Sequence, residues 1–161
     1  MEKYLCAPWR VELFRQPKAP GCFFCEYVRQ DQDETNLILE RGRDCFVIMN
    51  RYPYNDGHLM VVPHCHTSNL SKLEAHTRAE IWDLAIRWQE ILAKSLCAQG
   101  FNLGMNLGKA AGAGVDDHLH LHVVPRWVGD TNFMPIVGLA KVLNQELADM
   151  YRQLKAAAQR Q

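Results

Sequence analysis

Long apolar runs are missing from this sequence of 161 residues. Nothing approaches the roughly 20 consecutive residues of a membrane-spanning helix, so no membrane partner is expected. Charge of one sign is missing too. Lys+Arg and Asp+Glu number 18 each, which leaves no broad field to attract nucleic acid or an anionic membrane. A small polyanionic ligand needs only a few local positive groups and remains compatible. There is no internal repeat and no low-complexity tract. The N-terminal residues lack the charged-then-apolar profile of a secretory signal, so the expected setting is the cytoplasm. The six cysteines (6, 22, 25, 45, 65 and 97) are scattered unevenly, and in that setting reduced thiols are expected rather than a disulfide framework. The length suits one domain whose core folds without crosslinks.

What is present divides by its periodicity. Residues 1–20, with Pro8, Pro17 and Pro20, read as a non-regular arm; 21–138 form the body of the domain, and 139–161 a C-terminal helix packed on it. Short β-rich segments come first: Leu37–Leu39, Cys45–Met49 and His58–Val62, the last two separated by the shaped loop Tyr52–Gly57. Thr77-Arg78-Ala79-Glu80 has the form of a capping box. Behind it Ile81, Leu84, Ala85, Trp88, Leu92 and Leu96 recur at helical spacing, with Gly100 as a stop. Strand-like Phe101–Leu107 and His118–Val124 follow. Val142, Leu143, Leu147, Met150 and Leu154 mark a last helical stripe. The expected class is α+β: an antiparallel sheet of about five strands with a long helix and a C-terminal helix on one side.

His118-Leu119-His120-Leu121-His122-Val123-Val124 carries the most chemical information. On a strand the three histidines share one face, while Leu119, Leu121 and Val123 share the other and anchor to the core. Imidazolium charges so close repel, so at least one ring is expected to be neutral and able to act as nucleophile or metal ligand. Immediately upstream, Asn106-Leu107-Gly108-Lys109-Ala110-Ala111-Gly112-Ala113-Gly114 is a small-residue loop whose amides can approach an oxyanion. Separately, Cys22-Phe23-Phe24-Cys25 has a spacing that fits either two thiolates on one metal or a redox pair.

The histidine segment resembles the His-φ-His-φ-His-φ-φ signature of the histidine triad (HIT) nucleotide hydrolases and transferases. The likeness runs from about Gly21 to Phe133. It includes Asn50 at a strand end, Gly57-His58-Leu59, Pro63-His64-Cys65-His66 and Pro125-Arg126-Trp127. Within the family, Tyr52–Pro63 and Gly129–Phe133 look most like the bacterial branch that includes diadenosine tetraphosphate phosphorylases.

The resemblance implies roles. His120 would attack the α-phosphorus and form a nucleotidyl-histidine, His122 would contact the phosphate oxygens, and His58 would orient the triad. Asn50 would hold the ribose hydroxyls, while Asn106 and the backbone of Gly112, Ala113 and Gly114 would cradle the phosphate. Many hydrolytic members carry Gln or Ser where Gly114 falls, a side chain that assists the leaving group, so here that role passes to backbone, water or another residue. Relatives also complete the cysteine pair with two histidines, which correspond to His66 and His118, giving a structural Zn2+ bound by Cys22, Cys25, His66 and His118. No organic cofactor is implied. The expected partners are a nucleotide substrate, inorganic phosphate as a possible acceptor, and a second copy of the chain in a homodimer. Two rival functions stand beside this one: a metal-dependent hydrolase with a catalytic ion on His118, His120 and His122, and a nucleotide-binding adaptor without useful turnover.

Overall fold

The structure is a computed structural model that describes residues 21–130 and 144–160; the N-terminal arm, Val142 and Leu143 lie outside the described residues. Two short helices, α1 (Phe23–Arg29) and α2 (Asp33–Asn36), lead into β1 (Ile38–Arg41), β2 (Cys45–Met49) and β3 (Leu59–Pro63). The long helix α3 (Ala75–Leu96) is followed by β4 (Gly100–Gly104), β5 (Leu121–Arg126) and the C-terminal helix α4 (Leu147–Ala158). The five strands form one antiparallel sheet in the order β1-β2-β3-β5-β4. The α+β class and the five-stranded sheet are as the sequence predicts. No helix among the described residues is long and apolar enough to cross a membrane.

Strand alternation sorts the sheet into two faces. Cys45 reaches the Thr77 carbonyl of α3, so Cys45 and Val47 face the helix, as do Val61, Leu59, Leu121 and Val123 by register. Trp88, Ile91 and Leu92 of α3 are fully buried against that face. Trp88 Nε1 donates to Glu40 at 2.7 Å, satisfying the indole's polar group. Helix α4 packs on α3 and β1, with Tyr151 OH donating to the Ile38 carbonyl. The opposite face carries Phe46, Ile48, Met60, Val62 and His122 by the same register. Phe24 of α1 covers part of it, with its ring 6.2 Å from that of Phe46. A seven-residue helix has no stability of its own; burying Phe24 contributes about 1.5–3 kcal/mol to holding it there.

Several boundaries differ from those read in the sequence. There is no capping box: α3 begins two residues before Thr77, which is buried inside it. The Glu80 carboxylate instead accepts from the peptide N–H groups of Arg43 and Asp44 in the β1–β2 turn. The helix stops at Cys97, which adopts a left-handed conformation (φ 52°), and Gly100 already belongs to β4. Strand β4 ends at Gly104 rather than Leu107. Strand β5 is displaced toward the C-terminus and includes Pro125. A proline is tolerated there because β3 pairs only with Leu121–Val123, so the missing N–H lies beyond that ladder. The described part of the last helix starts at Leu147 rather than near 139, and residues 139–143 lie outside the described set. Helices α1 and α2 occupy the stretch before Leu37, where the sequence pattern predicts no element.

Candidate active site and metal centre

The three triad histidines sit at the start of β5: His122 within it, His118 and His120 in the segment just before. They remain on one side, with the His120 and His122 ring centroids 4.8 Å apart. His58, at the entrance to β3, completes the group. Its Nε2 lies 3.0 Å from His122 Nδ1 and its ring 5.1 Å from the His122 ring. Tyr54 stacks on His58 at 4.7 Å with 21° between planes.

Backbone groups decide where the protons sit. The Tyr54 N–H donates to His58 Nδ1 at 3.0 Å, so the neutral His58 ring carries its proton on Nε2 and donates it to His122 Nδ1. His122 is thereby left with Nε2 as its N–H donor. His120 Nδ1 lies 2.9 Å from the His118 carbonyl. A carbonyl only accepts, so the proton is on Nδ1 and the lone pair on Nε2. Burial holds the His120 imidazole below the ordinary histidine value, against the opposing pull of the His118 carbonyl. A neutral ring with an in-plane Nε2 lone pair, beside an N–H donor, can do nucleophilic work.

Around this centre the groups divide. The Asn50 N–H donates to the His58 carbonyl, but its side-chain oxygen accepts from the Tyr52 N–H in its own turn. Asn106 and His122 line one open groove together with Asn102, Gly104 and Arg126. In the glycine loop the Gly112 N–H is taken up by the Lys109 carbonyl. Gly112 itself is held left-handed at φ 79°. The amides of Ala113 and Gly114 have no backbone partner among the described residues. A Cβ on Gly114 would meet nothing within 4 Å, so the loop leaves space there. Lys109 is exposed and paired with Asp116 at 3.5 Å.

The four cysteine and histidine residues named from the sequence also come together. One ligand atom each from Cys22, Cys25, His66 and His118 lies within 4.8 Å of all the others. Cys22 caps α1 and Cys25 stands in its first turn, so the helix presents both thiols to one side. Cys22 Sγ–His118 Nδ1 is 3.2 Å, Cys25 Sγ–His66 Nδ1 3.4 Å and His66 Nδ1–His118 Nδ1 3.2 Å. Ligands of a tetrahedral zinc stand roughly 3.3–3.8 Å apart, given bonds of about 2.3 Å to sulfur and 2.0–2.1 Å to nitrogen. These residues therefore suit such an ion. The outer nitrogens are supported as well: His118 Nε2 bonds the Pro63 carbonyl at 2.8 Å, leaving Nδ1 deprotonated, and His66 Nε2 lies 3.8 Å from Asp117.

This geometry removes one rival function. His118 points its ligand nitrogen at the cysteines, His120 Nδ1 is bound to a carbonyl, and His122 Nδ1 is bound to His58. The three histidines do not converge on a common ion. Sequence reasoning missed Tyr54, Asp117 and the network in which Asp130 binds Arg126 and Asn55. His64 is half-buried and stacks on Phe46 at 5.8 Å.

Matching against known families agrees with the triad: the HIT domain profile matches residues 30–128. The chain belongs to the HIT family. It is 42% identical to the AP-4-A phosphorylase of Mycobacterium tuberculosis over 134 residues, 83% of this chain and 69% of that protein. Among solved structures it resembles a Zn-bound histidine triad family protein from Mycobacterium smegmatis, with a TM-score of 0.71 at 29% identity, covering 87% of this chain and 94% of that one. A hypothetical histidine triad nucleotide-binding protein from Sulfolobus tokodaii shares the fold, at a TM-score of 0.69 and 24% identity, over 86% and 93% of the two chains. The protein is an enzyme of the HIT family.

Proposed function

We propose that this HIT enzyme transfers an adenylyl group from diadenosine tetraphosphate to inorganic phosphate through an intermediate on His120. The observation that carries the reading is the His120 Nδ1–His118 carbonyl bond, which leaves the lone pair on Nε2 of a largely buried ring. The 42% identity to a protein named AP-4-A phosphorylase supports the choice of substrate.

In the first step the Nε2 lone pair forms a P–N bond to the α-phosphorus. The bridging P–O bond breaks, and its electron pair leaves with ATP. The Nδ1–H bond to the His118 carbonyl stabilises the positive charge gained by the ring. The His122 Nε2–H donates to a phosphoryl oxygen, with His58 holding His122 in that tautomer. The amides of Ala113 and Gly114 and the side chain of Asn106 bind the remaining oxygens, and Asn50 contacts the ribose through its amide nitrogen. In the second step a phosphate oxygen attacks the adenylyl phosphorus. The P–N bond breaks, its pair returns to Nε2, and ADP departs.

Cys22, Cys25, His66 and His118 would hold a structural Zn2+ with no open position, supplying rigidity rather than chemistry. The Zn-bound neighbour of the same fold supports that choice. The same reading makes the protein a cytoplasmic homodimer. The half-exposed Trp82 and Ile86 on α3 offer apolar contact area for a second copy.

The test is a phosphate titration with chromatographic product analysis, run on wild type and His120→Ala. ADP and ATP should rise together with phosphate, and His120→Ala should lose several orders of magnitude in kcat. AMP formed at the same rate with or without phosphate overturns phosphorolysis. More than about a tenth of kcat in His120→Ala, a loss under roughly 1.4 kcal/mol, overturns the nucleophile.

A further inference from the structure

An open groove of about 380 Å³ extends from His122 along β4 and β5 to Arg126, with Tyr54, Asn102 and Gly104 among its walls. We propose that it receives the departing polyphosphate half of a dinucleotide and that Arg126 binds its distal phosphates. This rests on the nucleotidyl-transfer reading of His120.

His122, Val124 and Arg126 alternate onto one face of β5, and Gly104 and Asn102 of β4 stand opposite His122 and Val124 in register. Strand rise separates His122 from Arg126 by roughly 13 Å. An amine or single phosphate departing from a phosphorus held beside His122 does not bridge that span; a polyphosphate chain does. The path is open, since a Cβ on Gly104 would meet nothing within 4 Å.

The Arg126 guanidinium is held in place rather than free to wander. Its Nε and Nη2 bind the two oxygens of Asp130 at 2.6 and 2.8 Å, and its Nη1 bonds Asn102 Oδ1 at 2.7 Å. That accounts for three of its five N–H donors among the described residues, and two remain for a ligand. The Asp130 carboxylate is itself turned inward, its side chain 8% exposed, where Asn55 Nδ2 also donates to it at 2.8 Å. Asp130 cancels part of the arginine's charge, so long-range attraction is weak. What is left is a fixed fork of donors, the arrangement suited to phosphate oxygens that arrive already positioned by the triad.

A purely structural role for Arg126 predicts equal damage to all substrates. A leaving-group role predicts damage that depends on the leaving group. The experiment measures kcat and KM for wild type, Arg126→Gln, Arg126→Lys and Gly104→Leu. Two substrates are compared: diadenosine tetraphosphate, and adenosine 5′-phosphoramidate, whose ammonia leaving group cannot reach the groove. Expected is a fall of tenfold or more in kcat/KM for the tetraphosphate relative to the phosphoramidate, carried mainly by KM, in Arg126→Gln and in the groove-filling Gly104→Leu. Arg126→Lys should recover only part of it. Equal losses on both substrates, or an unchanged ratio in Gly104→Leu should Arg126→Gln fail to fold, overturn the groove assignment alone. A wild type that turns over neither substrate overturns the nucleotidyl-transfer reading and the groove assignment with it.

Discussion

His58 Nε2 lies 3.0 Å from His122 Nδ1, and the peptide N–H of Tyr54, on the far side of the His58 ring, decides which way that bond runs. A main-chain donor cannot be reversed, so the order Tyr54 to His58 to His122 is set by the loop between β2 and β3. His58 works without touching a reacting atom.

It follows that His58→Phe, which keeps the stacked ring but removes the donor, frees His122 to adopt either tautomer. We expect kcat to fall by about 10–100-fold with KM little changed, the scale of losing an orienting partner. Proton-detected NMR of the His122 ring nitrogens should show the Nε2-protonated form dominant in the wild type and mixed in the variant. A kcat within twofold of wild type, or an unaltered His122 signal, contradicts the relay.

The metal centre makes a separate prediction. Metal-replete protein should contain one zinc per chain by elemental analysis. Cys22→Ser should release it and lower the melting temperature by about 10 °C or more, since for a chain of this size each kcal/mol is worth roughly 2–4 °C. Zinc absent from the wild type, or a melting point unmoved in Cys22→Ser, disposes of the site.

The Arg126–Asp130 pair gives a pH dependence. The Arg126 guanidinium holds the Asp130 carboxyl well below the usual carboxylate range. A depressed value in the folded state adds stability that is fully present above the unfolded value of about 3.9 and is lost as pH falls toward the folded value. Asp130→Asn should therefore cost about 1–3 kcal/mol at neutral pH. The gap in melting temperature between wild type and variant should narrow steadily below about pH 4. A gap that stays constant from pH 7 to pH 3 removes the ionic contribution.

How much of this was legible beforehand depends on which atoms are involved. Three histidines at period two announce a face of a strand, and a CxxC announces a pair of thiols, because both are patterns of side chains. The partners that set the chemistry are carbonyls of Pro63 and His118 and the N–H of Tyr54, and main-chain groups are the same at every residue. The capping box failed for a related reason: local spacing suited Glu80 to its own helix, but the turn at Arg43 and Asp44 offered two N–H donors at once. Leu37 and Cys97, left-handed at φ 62° and 52°, end elements where a glycine would be the expected marker. Leu37 is buried in the core, where packing outweighs local preference, whereas Cys97 is exposed and carries no local signal for its conformation.

His118 belongs to both centres at once. Its ring nitrogen faces the cysteines, while its carbonyl holds the Nδ1 proton of His120. Thermodynamic reciprocity then applies between them. Any free energy by which a metal on the His118 ring favours the adenylylated form of His120 must reappear, undiminished, as tighter metal binding by that form. The affinity of the cysteine–histidine site for a metal would thus become a reporter of how far along the reaction the enzyme has paused, readable without following substrate or product.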